Sequence, residues 1–406
     1  MEVGQPAQPD GGMNMRGTKK TGETYDPMVK LRASVARKLH GFTADYPEYG
    51  SAPEMDTYKP VSKRFPVPEL VLFTLRNIMG WRWSGHGEKV RWTVYGSVDG
   101  EPVFFSMRKF GFTIGRKVDG QVASTKIEGQ LASALKDVEK ALETVAEHQV
   151  AVGDVLIVNR FGEFDARYRF FRELADKAFK KAARKPRMSH AAGKPGGLAD
   201  VMNRLVKAKR EGFFHSVAMV DCYFSALEHR LVLLRAFTGQ PLAQGEVIEL
   251  LSAKWDDKLK MVTSIPGNRK LELLLGRMRE IKERVRNPFS HGGVENDGGS
   301  MFFHLPTVGQ IPVNFSNFGN SVRFSFLPVE EEGHGDYCRV FDELDEFLSS
   351  GALARPHALM DASVDPSFDN ETLKRYAGAI SGTDGDLKAF LDEWGHMWTM
   401  HANMDY

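Results

Sequence analysis

The sequence predicts an α+β chain in which a small α+β domain precedes an antiparallel helical bundle bearing a β-rich extension. Three observations predict it. Apolar runs on either side of Asp99-Gly100 mark a short hairpin, because that dipeptide supplies the left-handed backbone a tight turn needs. Two long segments beyond residue 200 repeat apolar residues at alternating steps of three and four, the period of a helix packed on one side. Between the second of these and a last bundle helix, residues 301–327 return to apolar and aromatic runs of strand character.

Composition limits the function classes. A chain of 406 residues exceeds one ordinary domain, so two or three are expected, and 42% hydrophobic residues suffice for real cores. The net charge is +1, so affinity for a polyanion has to come from a local patch. Two distant cysteines, Cys222 and Cys338, suit a reducing cytoplasm and offer neither a disulfide framework nor a zinc site. Residues Met1 to Pro60 hold no apolar segment of the signal-peptide kind, and no run of about 18 apolar residues predicts a membrane span. No Walker loop, dinucleotide fingerprint, HExxH or nucleophile elbow occurs, so no metal or other cofactor is expected.

Taken in order, residues 1–64 are rich in Gly and Pro and are expected to be disordered or extended, apart from a short helix around Met28 to Leu39. Residues 65–163 form the small α+β domain, of unassigned role. It has a helix over Val67–Met79, strands over Lys89–Tyr95, Val103–Met107 and Phe110–Ile114, and a helix over Ile127–Ala146. In that last helix Leu131, Leu135, Val138 and Leu142 share a face, and a buried strand is expected at Val155–Val158. Residues 164–200 read as a basic helix and linker, ended by Lys185-Pro186 and the Gly/Pro run at 193–197. This is either a solvated connector or a phosphate-contacting arm using Lys180, Lys181 and Arg184.

The bundle spans 201–350. Phe213, Val217, Val220, Phe224, Leu227, Leu231 and Leu234 make one stripe, closed by Thr238-Gly239-Gln240-Pro241 with Gly and Pro in helix-ending order. A helix from Gly245 to about Leu259 connects to the second long helix, with Leu271, Leu274, Met278, Ile281 and Val285. Matched stripes predict that these two long helices pack antiparallel. A final bundle helix is expected over Asp336–Leu348, and residues 351–406 form a helical tail.

The chemistry concentrates in Arg286-Asn287-Pro288-Phe289-Ser290-His291-Gly292-Gly293. An imidazole exchanges protons near neutral pH, and a guanidinium is a permanent charge with a planar fork of donors for phosphate oxygens. Arg279, Lys282 and Arg286 make a basic ridge beside the apolar stripe. Pro288 removes a helical donor and biases Asn287 out of helical geometry, so the chain breaks at the motif. The ordinary reading is an Arg complementing a helix C-terminus, followed by a loop His. Asp221, Glu228 and Arg235 recur every seven residues beside the stripe of the first long helix. Glu228 is either an edge ion pair or the group that orients Arg286 or His291. Trp81, Trp83 and Trp92, with Arg82 and Arg91, are either core or a base-stacking surface.

The Arg286-Asn287-x-x-x-His291 string, at the end of a long helix and after another bearing Glu228, resembles the HEPN superfamily over about residues 201–350. Position 293 is Gly, where the subgroup of toxins with an Arg-x4-His-x-Tyr motif has Tyr. The resemblance implies a helical homodimer acting as a metal-independent endoribonuclease, as in toxin and antiviral-defence systems. It makes Arg286 and His291 the catalytic pair, Asn287 the polar residue that follows the Arg, and RNA the substrate. The products would then end in 2′,3′-cyclic phosphates. The other reading is a non-catalytic HEPN dimer that binds RNA or a protein partner or inhibitor.

Overall fold

The computed structural model describes residues 27–48, 51–184, 197–286, 301–307, 309–318, 321–325 and 333–404. The chain is mixed α/β, with a small N-terminal sheet and a helical C-terminal region. It divides into two compact units, residues 1–148 with 395–406, and residues 149–394.

In the first unit, α1 (Pro27–Lys38), β1 (Phe42–Thr43) and β2 (Met55–Tyr58) precede α2 (Glu69–Leu72), which continues as a π turn over Phe73–Ile78. Then come β3 (Arg82–Ser84), β4 (Val90–Val98), β5 (Glu101–Arg108), β6 (Gly111–Lys117) and α3 (Ser124–Val152). All strand pairs are antiparallel, in the order β1-β4-β5-β6-β2 with β3 also on β4. The β4–β5 turn has positive φ at both Asp99 (50°) and Gly100 (82°), which matches the twist of the strands it joins. One sheet face contributes Trp92, Val94, Phe105 and Ile114 to a core closed by Val35, Leu75, Ile127 and Leu131 of the helices.

The helix expected around Met28 to Leu39 is α1, while the paired strands within residues 42–58 correct the expectation of an otherwise disordered or extended start. Leu31, Val35 and Leu39 bury one side of α1 at steps of four, and β2 pairs with β6 as an edge strand. Residues 1–26 lie outside the described residues. Residues 155–158 are also corrected. Val155 and Ile157 pack inward, Leu156 and Val158 are exposed, and Leu156 makes one isolated bridge to Ser367.

The second unit contains α4 (Phe161–Ala183), α5 (Gly197–Phe237), α6 (Glu246–Ser252), α7 (Trp255–Val262) and α8 (Arg269–Ile281), whose last turn, Lys282–Arg286, is π-helical. A three-stranded antiparallel sheet follows: β7 (Met301–Leu305), β8 (Gly309–Phe318) and β9 (Ser321–Ser325). The chain then forms α9 (Gly333–Leu348), α10 (Ala354–Asp361), α11 (Asn370–Ser381) and α12 (Asp384–Asn403).

The segment expected as a basic connector is α4, and it is the most closely packed partner of α5. The two run antiparallel: Phe164 meets His229, Tyr168 meets Tyr223, Phe171 meets His215, and the Phe179 ring lies against Gly212. Tyr168, Ala175 and Ala178 are buried, and the two alanines let the backbones approach. Nine basic residues over 167–187 outweigh this narrow face in any compositional reading. The second long helix, expected as the antiparallel partner, instead meets α5 chiefly through its π turn, while Leu271, Leu274, Met278 and Val285 enter the same core. Helix α9 runs parallel to α5, with His334, Phe341 and Asp345 contacting Ser216, Tyr223 and Arg230 in turn.

Residues 230–237 of α5 are all buried, Arg230 and Arg235 among them through ion pairs to Asp345 and Glu246. The segment expected as a tail accounts for it: Leu359, Met360, Phe368, Leu373 and Tyr376 form a further core with Leu233, Ala236 and Phe237.

Candidate functional site

The site builds outward from the end of α8. A proline at 288 has no N–H for the carbonyl of residue 284, and its ring crowds that carbonyl in an α-helix. The widened turn falls on Lys282–Arg286, and such turns recur at functional sites. Val285 is held in the core, which sets Arg286 at the bundle edge against α5. Its guanidinium lies 5.6 Å from the Phe224 ring centroid. Nε is 3.2 Å from Asp221 Oδ1 and Nη1 is 3.9 Å from Glu228 Oε1. Asp221, Phe224 and Glu228 are three and seven apart, so one helix face presents carboxylate, ring and carboxylate. About a quarter of the Arg286 side chain, 24%, remains open to solvent.

Of the ridge residues, Arg279 pairs with Asp256 at 3.3 Å. The Lys282 amine is held below its ordinary pKa, first by burial and then by the neighbouring Arg286 charge. Lys180, Lys181 and Arg184 are exposed at the end of α4. That end adjoins Gly212, whereas Arg286 adjoins Glu228. Because Arg286 also meets Asp221, the separation along α5 is about 14–24 Å at ~1.5 Å per residue, and the two basic groups do not form one patch at Arg286. Asn287 and His291 lie outside the described residues.

Other expected candidates resolve differently. Arg235 leaves the seven-residue series by turning to Glu246 at 2.8 Å and to the carbonyls of Gln240 and Pro241. Trp81 and Trp92 are core, and Trp83 is covered by Arg76 at 3.6 Å from the ring centroid. Arg91 faces Glu69 at 3.5 Å.

Sequence reasoning missed two polar clusters. A cleft of about 240 Å³ between α4, α5, α9 and α10 is lined by Arg230, Asp345, Tyr223, Arg169 and His357, among others. There Arg230 Nη1 donates to Asp345 Oδ1 at 2.6 Å, and the Tyr223 hydroxyl donates to the same oxygen at 3.1 Å. Burial raises the Asp345 pKa against the opposing pull of Arg230. Arg230, falling between Leu227 and Leu231 of the apolar stripe, was the available signal. The second cluster is a hydrogen-bonded chain. Ser216 Oγ is 3.0 Å from His334 Nδ1, and His334 Nε2 is 2.8 Å from Asp176 Oδ1. The order matches that of a nucleophile, base and acid. Ser216 is only 4% exposed, which leaves a substrate no approach to its oxygen, so the chain serves to tie α5, α9 and α4 together.

Among the described residues, no helix is long and apolar enough to cross a membrane. Comparison with family models, with curated proteins and with solved structures finds no match to this chain.

Proposed function

We propose that the chain is a metal-independent endoribonuclease of the HEPN type, cutting RNA by attack of a ribose 2′-OH on the adjacent phosphate. The observation that carries the reading is Arg286. It ends a long bundle helix at a π turn, is braced from α5 by Asp221 and Glu228, and keeps about a quarter of its side chain, 24%, in solvent. It immediately precedes Asn287 and stands five residues before His291 in the sequence. In this reading Arg286 neutralises the charge that builds on the phosphorane-like transition state. His291 takes the 2′-OH proton or returns one to the 5′-oxygen leaving group. The internal nucleophile makes attack intramolecular, and fragments end in a 2′,3′-cyclic phosphate. Two copies meet through their bundles to pair two such motifs, as the family resemblance implies.

The test is incubation of wild type and Arg286→Ala with mixed RNA in EDTA, followed by end-group analysis. Cyclic-phosphate ends from wild type and none from the variant are expected. Equal cutting by the two proteins would remove Arg286 from the mechanism. One observation favours a second reading, a non-catalytic HEPN module that binds RNA or a protein: two carboxylates already compete with any phosphate for Arg286. Salt-dependent RNA binding without new ends would select it.

A further inference from the structure

In the first unit, strand alternation sends Trp92, Val94 and Phe105 into the core and turns Tyr95, Phe104 and their row neighbours to the opposite face. That face has an ordered composition. Registered pairs run Arg82–Tyr95–Phe104–Gly115–Thr57 straight across five strands, a row of about 19 Å at ~4.8 Å per strand. Tyr46 lies 5.2 Å from Tyr95, and Phe104 6.4 Å from Tyr95, between ring centroids. All three rings are part-exposed. A Cβ at position 115 would come within 2.1 Å of the Phe104 ring, so that ring lies flat on β6 and directs its other π face away from the sheet.

Cations frame the rings. The Arg82 guanidinium sits 5.8 Å from the Tyr46 centroid and 5.7 Å from that of Tyr95, and Arg108 sits 5.8 Å from that of Phe104. Among the described residues neither arginine has a carboxylate partner, and no face position of these strands carries Asp or Glu. The β5–β6 turn adds Lys109 and Phe110, the latter 80% exposed. In the row beside the rings Thr93 bonds Ser106 at 2.9 Å, both buried, and Ser84 bonds the Tyr95 hydroxyl at 3.2 Å. Part-exposed rings, with guanidinia that have no carboxylate partner among the described residues, together match the bases and phosphates of a single strand.

We infer that this sheet face binds a single-stranded nucleic acid, with bases stacked on Tyr95 and Phe104 and phosphates held by Arg82 and Arg108. The inference concerns binding alone and stands whether or not Arg286 supports cleavage. The test is equilibrium binding of a fluorescent 12-nucleotide RNA to the full-length chain carrying Arg286→Ala, so that failure of cleavage and failure of binding are read separately. Tyr95→Leu/Phe104→Leu should weaken binding at least tenfold. Arg82→Gln/Arg108→Gln should do the same and should also flatten the dependence on salt. Duplex RNA of the same sequence should bind at least tenfold more weakly. The arginine pair is exposed and leaves the core untouched, so it keeps the test valid should the ring pair unfold the sheet. Variants that bind within twofold of the parent, or duplex RNA bound as tightly as the single-stranded RNA, would overturn the assignment.

Discussion

Arg286 Nε lies 3.2 Å from Asp221 Oδ1, and the same guanidinium reaches toward Glu228, two helical turns further along α5. Asp221 is half exposed, so solvent screens the pair and its net worth is at most about 1 kcal/mol. Asp221→Asn and Glu228→Gln are therefore expected to unfold within about 1 kcal/mol of wild type. In the nuclease reading they misorient Arg286, and Glu228→Gln lowers the cleavage rate about tenfold or more. Urea titration beside single-turnover cleavage separates the effects; a rate unchanged in both variants would leave the carboxylates without a role at the site.

Burial makes the ion pair between Arg230 and Asp345 a different case. The Arg230 side chain is 5% exposed and has Asp345 as its carboxylate partner. Asp345→Ala strands a buried cation and should cost about 3–5 kcal/mol. Asp345→Asn keeps an acceptor for Arg230 and Tyr223 and should cost distinctly less. Chemical denaturation of both variants measures the difference; a loss below about 1 kcal/mol in the alanine variant would mean that water reaches Arg230.

His229 sets an acid limit on the α4–α5 junction. Its Nε2 accepts the N–H of Arg160, the residue that caps α4, at 3.0 Å, which requires a neutral ring. Burial first, and then the charges of Arg160 and Lys258, hold the folded pKa below the ordinary 6.5. As pH falls through about 6.5 the unfolded chain takes up this proton and the folded chain does not, so stability declines. His229→Gln keeps an acceptor without a titration. Unfolding free energies from pH 7.5 to 5.5 should fall more steeply for wild type than for the variant, and parallel slopes would refute the assignment.

Gly239 ends α5 at φ 67°, with the Ala377 backbone 2.6 Å from where a Cβ would stand. Gly239→Ala adds left-handed strain to a steric clash, each about 1–2 kcal/mol. A combined loss above about 2 kcal/mol is expected in thermal or chemical unfolding. A smaller loss would show that α11 can move away.

The helix-ending role of Gly239 was legible from Thr238-Gly239-Gln240-Pro241, because local backbone chemistry decides it. Likewise the Asp99-Gly100 hairpin, the stripe of α5 and the second stripe ending at Val285 follow from turn residues and periodicity. The burial of α4 was not legible. Two alanines and a tyrosine carry its packed face, and their apolar signal is too small to stand out among Arg and Lys. Nor was the make-up of the outer sheet face: tryptophans drew attention, but strand parity and helix cover put Trp81 and Trp92 inside and left Tyr95 and Phe104 outside.

The sequence by itself determined where α5 ends, which faces of α5 and α8 are apolar, and that Arg286 lies two residues before a helix-breaking proline. Those are properties of neighbouring residues, fixed by backbone sterics and by hydrophobic period. It did not separate Glu246–Ser252 from Trp255–Val262, which were expected as one helix. Only the tertiary structure decided that Asp221 and Glu228 flank Arg286, that Arg230 has Asp345 as its partner, and that Ser216 meets His334 across 118 residues of chain. Such pairings depend on which helices lie side by side. That choice is set by the summed burial of many side chains, and no single local spacing encodes it.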